Sequence, residues 1–201
     1  MNVDQPTPEL AALQERISTN RYDYDAHLQL ISFLRARNDF DSLQTARQAM
    51  ADIFPLSAEL WKEWIADETM IASSADEKRA LVQLYLKAVQ DYQSVDLWVL
   101  FLSFIIEEYK IGIDEGDEWL DLEQLQSYCK QGLRALERHF ALGNHIWNLY
   151  KNFLVDILDW KDAAQVQKVR LMFHERLAVP HLRNIWFTYR AERHIYRLFH
   201  V

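Results

Sequence analysis

The chain has 201 residues, of which 50% are hydrophobic and 13% aromatic, and its formal net charge at pH 7 is −8. This length and composition can bury a large core, but only four glycines and four prolines are available for turns, which argues against a many-stranded sheet and predicts an all-α fold. The single cysteine, Cys129, excludes an internal disulfide and a cysteine-based zinc cluster.

The two parts of the chain carry opposite charge. Residues 1–123 contain 24 acidic and 10 basic side chains, whereas residues 124–201 contain 6 acidic and 12 basic ones. This asymmetry indicates separate surfaces for separate partners. The alternative is a solvated helical protein in which the charge distribution has no such role.

Apolar residues that recur every three or four positions predict helices from Pro8 onward. Thr7 and Ser57 are the expected N-caps, and Pro55 is expected to end the helix before it. The predicted helices span residues 8–19, 23–37, 40–54, a stretch that follows Ser57, 77–92, 95–110, 122–140, 145–158, 161–178 (stopped by Pro180) and 182–201. We expect residues 1–7 to be disordered and residues 8–201 to form repeats, with units at 21–55, 56–93, 94–141 and 142–180 and a partial unit at 181–201.

Two stretches depart from the regular pairing of helices. Residues 111–121 contain two glycines and five acidic residues, and we predict that they form an inserted loop. The last helix has no partner after it, and a helix pair must bury its face on a neighbour. We therefore expect missing downstream chain, a cap or self-association, and favour a fragment of a longer protein.

A helical phrase, a Trp followed three residues later by another aromatic residue, recurs along the chain. It comprises Trp61/Trp64, Trp98/Phe101, Trp147/Tyr150 and Trp186/Tyr189, and its first members lie 37, 49 and 39 residues apart. Such a period is typical of stacked helical repeats. Because residues i and i+3 share a helical face, we predict that these rings pack between helices. The alternative role, stacking on RNA bases, would require exposed rings in a basic groove.

The phrase resembles half-a-TPR (HAT) repeats, in which a second helix carries two apolar residues four positions apart. The matching pairs are Met50/Phe54, Tyr85/Val89, Cys129/Leu133 and Phe173/Leu177. His27 stands where the other units have Trp. The resemblance implies a right-handed α-solenoid of about nine to ten helices.

Three short segments narrow the resemblance: NRYDYDAH at 20–27, ARQAMADIFPL at 46–56 and ELWKEW at 59–64. They are similar to the N-terminal HAT domain of the splicing recycling factor family, which includes the squamous cell carcinoma antigen recognised by T cells and the yeast pre-mRNA-processing factor that anneals U4 and U6 small nuclear RNAs. The RNA-recognition domains of that family are not found in these 201 residues.

The resemblance implies a nuclear, non-enzymatic scaffold that binds splicing ribonucleoprotein components or other proteins and supports U4/U6 assembly or recycling. It allows homodimerisation, and it implies that RNA is bound mainly through other domains. Two alternatives stay open: a scaffold in polyadenylation or ribosomal RNA processing, and a direct RNA-binding module in the basic C-terminal segment.

No catalytic constellation is recognisable, and we expect no cofactor, metal or membrane segment. None of the seven histidines lie at the i, i+4 spacing of a helical zinc site, and the most apolar run, residues 97–106, is shorter than the ~20 residues that span a bilayer. Two contact sites are hypotheses: Trp119 within the acidic segment 114–121, as an anchor for a basic peptide, and a basic face of the last helix, for phosphates or an acidic partner. The candidate contact residues of that helix are Arg183, Arg190, Arg193 and Arg197, of which the last three follow i, i+3, i+7 spacing and are expected to share one face.

Overall fold

The fold is seen in a computed structural model that describes residues 7–116, 119–137, 139, 142–159 and 161–177. Within these residues the chain forms nine α-helices and no strand, which confirms the prediction of an all-α fold. The helices are α1 (Pro8–Thr19), α2 (Tyr24–Ala36), α3 (Phe40–Ala51), α4 (Ala58–Ile71), α5 (Ala75–Asp91), α6 (Val95–Glu115), α7 (Leu122–Ala135), α8 (Asn144–Ile157) and α9 (Ala163–Leu177). The predictions for residues 1–6, for Pro180 as a helix stop and for the helix at 182–201 lie outside the described residues.

Short polar side chains define most of the helix starts. Asp23, Asp39 and Asp121 each accept a backbone hydrogen bond from the first turn of α2, α3 and α7. Ser57 Oγ accepts from the backbone N–H of Leu60, as expected for its cap. Thr7 stands at the N-cap position of α1, but its side chain makes no capping hydrogen bond, so that part of the prediction is wrong.

A reciprocal capping box starts α5. Glu77 Oε2 accepts from the backbone N–H of Ser74 at 2.8 Å, and Ser74 Oγ accepts from the N–H of Glu77 at 3.3 Å. The backbone N–H of Ser73 also donates to Glu77 Oε2, at 2.9 Å. Because the N–H groups of Ser74 and Ser73 stabilise the ionised carboxylate, they lower the pKa of Glu77 to about 2.

The predicted ends of α6 and α3 are wrong. The insertion expected at 111–121 is helical over its first five residues, because α6 continues through the buried Gly112 and stops only at Gly116. Gly116 has a φ of 75°, a left-handed conformation that glycine adopts without strain, and its N–H closes the helix on the carbonyl of Gly112. At α3 the helix ends at Ala51, before the residues adjoining Pro55, and the chain turns with the N–H of Phe54 bonded to the carbonyl of Met50.

The end of α7 also differs from the prediction. This helix stops at Ala135 instead of residue 140, and the N–H of Leu136 bonds back to the carbonyls of Arg134 and Gly132. The backbone of Leu136, with φ −108° and ψ 14°, has left the helical region. The helical spacing of apolar residues therefore continues in the sequence after Ala135, although the backbone helix has already ended there.

The chain divides into two compact units, Met1–Asp67 and Glu68–Val201, and the division falls within α4. In the first unit α2 packs against both α1 and α3. In the second unit α6 packs against α5, α7 and α8, so it contacts the preceding helix, the following helix and the one after that. Contacts of this kind are expected of stacked helix pairs. No helix in the described part of the chain is long and apolar enough to cross a membrane.

An ion-pair network lies partly inside the first unit. Arg47 of α3 and Asp67 of α4 are only 3% and 8% exposed, and Arg47 Nη2 lies 2.6 Å from Asp67 Oδ2. Arg35 of α2 donates to Asp67 Oδ1 at 3.0 Å and reaches the exposed carboxylate of Glu63, also at 3.0 Å. Both oxygens of the buried carboxylate are therefore paired, and they link α2 and α3 to α4.

Replacing Asp67 by Ala is expected to lower the free energy of unfolding by about 3–5 kcal/mol, because Arg47 would stay buried without its partner. The matched control is Glu63→Ala, which removes the exposed partner of Arg35 and should cost under ~1 kcal/mol. Urea denaturation of both variants measures the two losses. Losses of equal size would contradict the special role of the buried pair.

The capping box predicts a pH-dependent stability. Glu77→Ala should destabilise the protein at neutral pH, because the folded state favours the carboxylate. The effect is fully present above the ordinary glutamate pKa of 4.5 and is lost as the pH falls towards the folded-state value of about 2. The difference in Tm between wild type and variant should therefore shrink across this window, for as long as both proteins stay folded. A difference that is constant with pH would count against the capping interaction.

Candidate protein interface

The aromatic residues of the repeated phrase lie in the interior of the described units. The buried members are Trp61, Trp64, Trp98, Phe101, Trp147 and Tyr150. The rings of Trp61 and Trp64 stack in parallel, with their centroids 5.3 Å apart and their planes inclined by 2°. Buried rings cannot stack on RNA bases without rearrangement, so their placement supports a packing role. Trp186 and Tyr189 lie outside the described residues.

The aromatic residues of one helix contact those of the next. Phe101 of α6 stacks on Tyr85 of α5 with a centroid distance of 5.2 Å and lies 5.3 Å from Tyr128 of α7. Trp147 of α8 meets Phe173 of α9 edge to face at 5.2 Å. These aromatic contacts connect consecutive helices through the interior of the second unit.

In the first repeat, residues 21–55, His27 takes the place of the tryptophan. It is 2% exposed, and its ring meets Phe54 in an edge-to-face contact at 5.8 Å. His27 Nε2 lies 3.1 Å from the backbone carbonyl of Arg21, which satisfies a polar atom that burial would otherwise leave without a partner. The histidine is therefore a core residue at the position where the other units have Trp.

A glycine creates the space for one of the indoles. A Cβ atom at Gly132 of α7 would lie 3.0 Å from Cε3 of Trp98 and 3.2 Å from Cδ1 of Leu102, closer than ordinary van der Waals contact. The missing side chain thus allows α7 to approach the tryptophan of α6. Only glycine meets this requirement without displacing its neighbours.

The buried thiol is not placed for chemistry. Cys129 is fully buried, and this burial raises its pKa to about 12, so the thiolate that acts as nucleophile is disfavoured. Burial also raises the pKa of the neighbouring Tyr150. In the parts of the chain that the structure describes, no group of three or more His, Cys, Asp or Glu residues is arranged to hold a metal ion.

The residues of the acidic segment 114–121 have different structural roles: some lie at the ends of α6 and α7, and others line a small cleft. Asp114 is the last residue but one of α6, Asp121 caps α7 by accepting the N–H of Gln124 at 2.6 Å, and residues 117–118 lie outside the described residues. Trp119 is half-buried beside α5 and α7. It lines a cleft of about 130 Å³ with Arg79, Val82, Gln83, Leu120, Gln124 and Tyr128. The role of Trp119 as a partner anchor stays a prediction.

A larger cleft, which the sequence reasoning missed, lies between α7 and α9. Its volume is about 650 Å³, and seven of its eight described lining residues have polar or charged side chains: Leu122, Glu123, Gln126, Ser127, Lys130, Gln131 and Arg134 come from α7 and Lys168 from α9. The excess of basic residues after position 123 was a signal of this surface, although the sequence did not show which cations would face one another. The basic face predicted at Arg183, Arg190, Arg193 and Arg197 lies outside the described residues.

These features define an all-helical repeat protein, in which paired helices pack through aromatic side chains and leave polar clefts between them. A sequence model of the Suppressor of forked protein (Suf) family matches residues 9–198, and the chain belongs to this family.

The relatives of the chain are RNA-processing proteins by name. The mouse and human proteins named Spliceosome associated factor 3, U4/U6 recycling protein, are each 33% identical to the chain over 172 residues, which cover 86% of this chain and 17% of the relative. The mRNA 3′-end-processing protein RNA14 of Gibberella zeae is 25% identical over 181 residues, which cover 84% of this chain and 17% of the relative. The resemblance to splicing recycling factors is thus confirmed, and the chain spans less than a fifth of the length of these relatives.

The fit of Trp98 against Gly132 generates a double-mutant prediction. Gly132→Ala should destabilise the wild type, since overpacking costs ~1–3 kcal/mol, more than the ~1 kcal/mol that alanine contributes over glycine in a helix. Trp98→Ala alone should cost about 3–5 kcal/mol.

In the Trp98→Ala background the same Gly132→Ala change should instead stabilise by up to ~1 kcal/mol, because the indole is gone, the Leu102 side chain can shift into the space that it leaves, and helix propensity remains. Chemical denaturation of the four proteins gives the coupling energy directly. An equal destabilisation by Gly132→Ala in both backgrounds would contradict the proposed contact.

Proposed function

We propose that this chain is a non-enzymatic, nuclear protein-interaction scaffold of an RNA-processing complex, and that it supports assembly or recycling of U4/U6 ribonucleoprotein particles. The observation that carries the proposal is the 33% identity to Spliceosome associated factor 3 over 86% of the chain. In this mechanism the buried aromatic residues hold the helices together, and the helices in turn hold polar surfaces in fixed positions to which partner proteins bind.

The fold supports this role because a single helix has one face buried in the core and another face exposed for partners. In α7 the buried residues Tyr128, Cys129 and Gly132 face the neighbouring helices, while Lys130 and Arg134 are exposed on the cleft. A surface mounted on rigid helices is held more precisely than one on a loop. Partner proteins can therefore recognise it with little loss of conformational entropy.

A second candidate is a scaffold in mRNA 3′-end processing. It is favoured by the 25% identity to RNA14 of Gibberella zeae over 84% of the chain. Direct RNA binding through Arg190, Arg193 and Arg197, and formation of a homodimer, are further proposals that the same experiment addresses. The arginine proposal rests on their i, i+3, i+7 spacing, which would place three cations on one face of the helix that the sequence predicts at 182–201.

The chain, immobilised through a tag, is expected to recover U4/U6-associated proteins from nuclear extract, and recovery should resist ribonuclease because the contacts are with protein. The matched variant reverses Arg190, Arg193 and Arg197 to Glu and should recover the same proteins. Mass spectrometry identifies the proteins, amplification of U4 and U6 RNA quantifies the particles, and light scattering gives the oligomeric state.

Three results would change the conclusion. Recovery of 3′-end-processing proteins alone would replace the first candidate by the second. Recovery that is lost both with ribonuclease and with the arginine reversal would identify an RNA-binding module. Recovery of neither class of protein would contradict the proposed function.

A further inference from the structure

The cleft between α7 and α9 has a positive charge that the described residues leave uncompensated. Lys130, Arg134 and Lys168 line it, all three are exposed, and none makes a salt bridge to a described residue. The acidic residue in the lining is Glu123, which lies seven positions before Lys130, or about 10 Å along the helix. The end of the cleft near Lys130 and Arg134 is therefore suited to a ligand with negative charge.

The remaining lining offers hydrogen-bonding groups. Gln126 and Gln131 carry side-chain amides that can both donate and accept, and Ser127 carries a hydroxyl. Gln131 Nε2 lies 3.4 Å from Ser127 Oγ, a long contact that a ligand can displace. Amides and hydroxyls beside cations match the backbone and carboxylates of a peptide.

Single-stranded RNA fits this lining less well. Proteins that bind single strands stack bases on aromatic side chains, and the described residues that line the cleft include none. The chemistry thus points to a partner protein.

We infer that the α7–α9 cleft binds an acidic polypeptide segment of a partner protein in extended conformation; the inference rests on the proposed scaffold function and specifies the partner chemistry. From Leu122 to Arg134 the cleft follows about 18 Å of helix, which an extended chain covers with five to six residues, at ~3.3 Å each. In an extended chain alternate side chains point the same way, so carboxylates at alternate positions would all face Lys130, Arg134 and Lys168.

The test uses the whole chain and a fluorescein-labelled peptide of about 12 residues in which Glu and Ala alternate, a length chosen to exceed the cleft. Binding is followed by fluorescence anisotropy at low salt. The comparison probes are the same peptide with Gln in place of Glu and an oligouridylate of similar length. Wild type should bind the Glu peptide about tenfold more tightly than the Gln peptide, and the preference should weaken with salt, since the attraction is electrostatic.

Lys130→Glu/Arg134→Glu should weaken binding of the Glu peptide about tenfold or more, because two attractions become repulsions. The control is Lys151→Glu/Lys161→Glu, which changes the net charge equally at lysines outside the cleft lining and should leave affinity within about twofold. Lys168→Glu, on the opposite helix, gives an independent variant should the double reversal unfold the protein. Circular dichroism checks the fold of each variant.

Equal losses in the cleft and control variants would overturn the inference, as would absence of binding by wild type or tighter cleft-dependent binding of the oligouridylate. Retained binding in both cleft variants would also overturn it, since the peptide would then be held elsewhere. These failures are separable from failure of the proposed function, because recovery of RNA-processing proteins from extract is measured independently on the same wild-type chain.

Discussion

The structure depends on fitting large aromatic side chains between neighbouring helices. Trp98 illustrates the constraint, because it is 5% exposed and meets the backbone of α7 where Gly132 has no side chain. A buried Trp removes roughly 150–250 Å² from water, which at ~25 cal/mol per Å² amounts to about 4–6 kcal/mol. The net contribution of a typical hydrogen bond, about 0.5–1.5 kcal/mol, is smaller. The aromatic contacts therefore set the positions of the helices, and the exposed surfaces follow from them.

Much of the fold could be predicted from residues that act locally or recur. The Trp phrases identified the helices that carry the core, and Asp23 and Ser74 lie where the chain needs side-chain oxygens to cap a helix. Local signals were less reliable at helix ends. The two glycines of residues 111–121 predict a loop that includes Gly112, yet a glycine within a helix costs only ~1 kcal/mol, which tertiary packing offsets. The helix instead stops at Gly116, where φ is positive.

Contacts between charged side chains on different helices were not predictable in the same way. The pairing of Arg47 with Asp67 joins residues on α3 and α4, and neither side chain differs in the sequence from an ordinary exposed charge. The α7–α9 cleft likewise requires Lys168 to lie opposite Lys130 and Arg134. Such proximity is set by how the helix pairs stack, which the repeat period indicates only coarsely. The sequence therefore predicts which kinds of residue fill the interior. It does not predict which charged side chains meet on the surface that carries the candidate site.

This difference bears on how one fold serves more than one RNA-processing complex. Positions such as Trp98 and Gly132 tolerate few changes, because a core responds to a single added or removed methylene. Exposed positions such as Lys130 and Lys168 can change with effects on stability of ~0.5 kcal/mol or less. A family whose members are named for the spliceosome and for 3′-end formation can thus keep its packing and alter its clefts. Selection of a partner then depends on which charged side chains line the clefts. Substitution of Lys130, Arg134 and Lys168 can therefore alter binding without unfolding the protein, whereas substitution of the buried aromatic residues cannot.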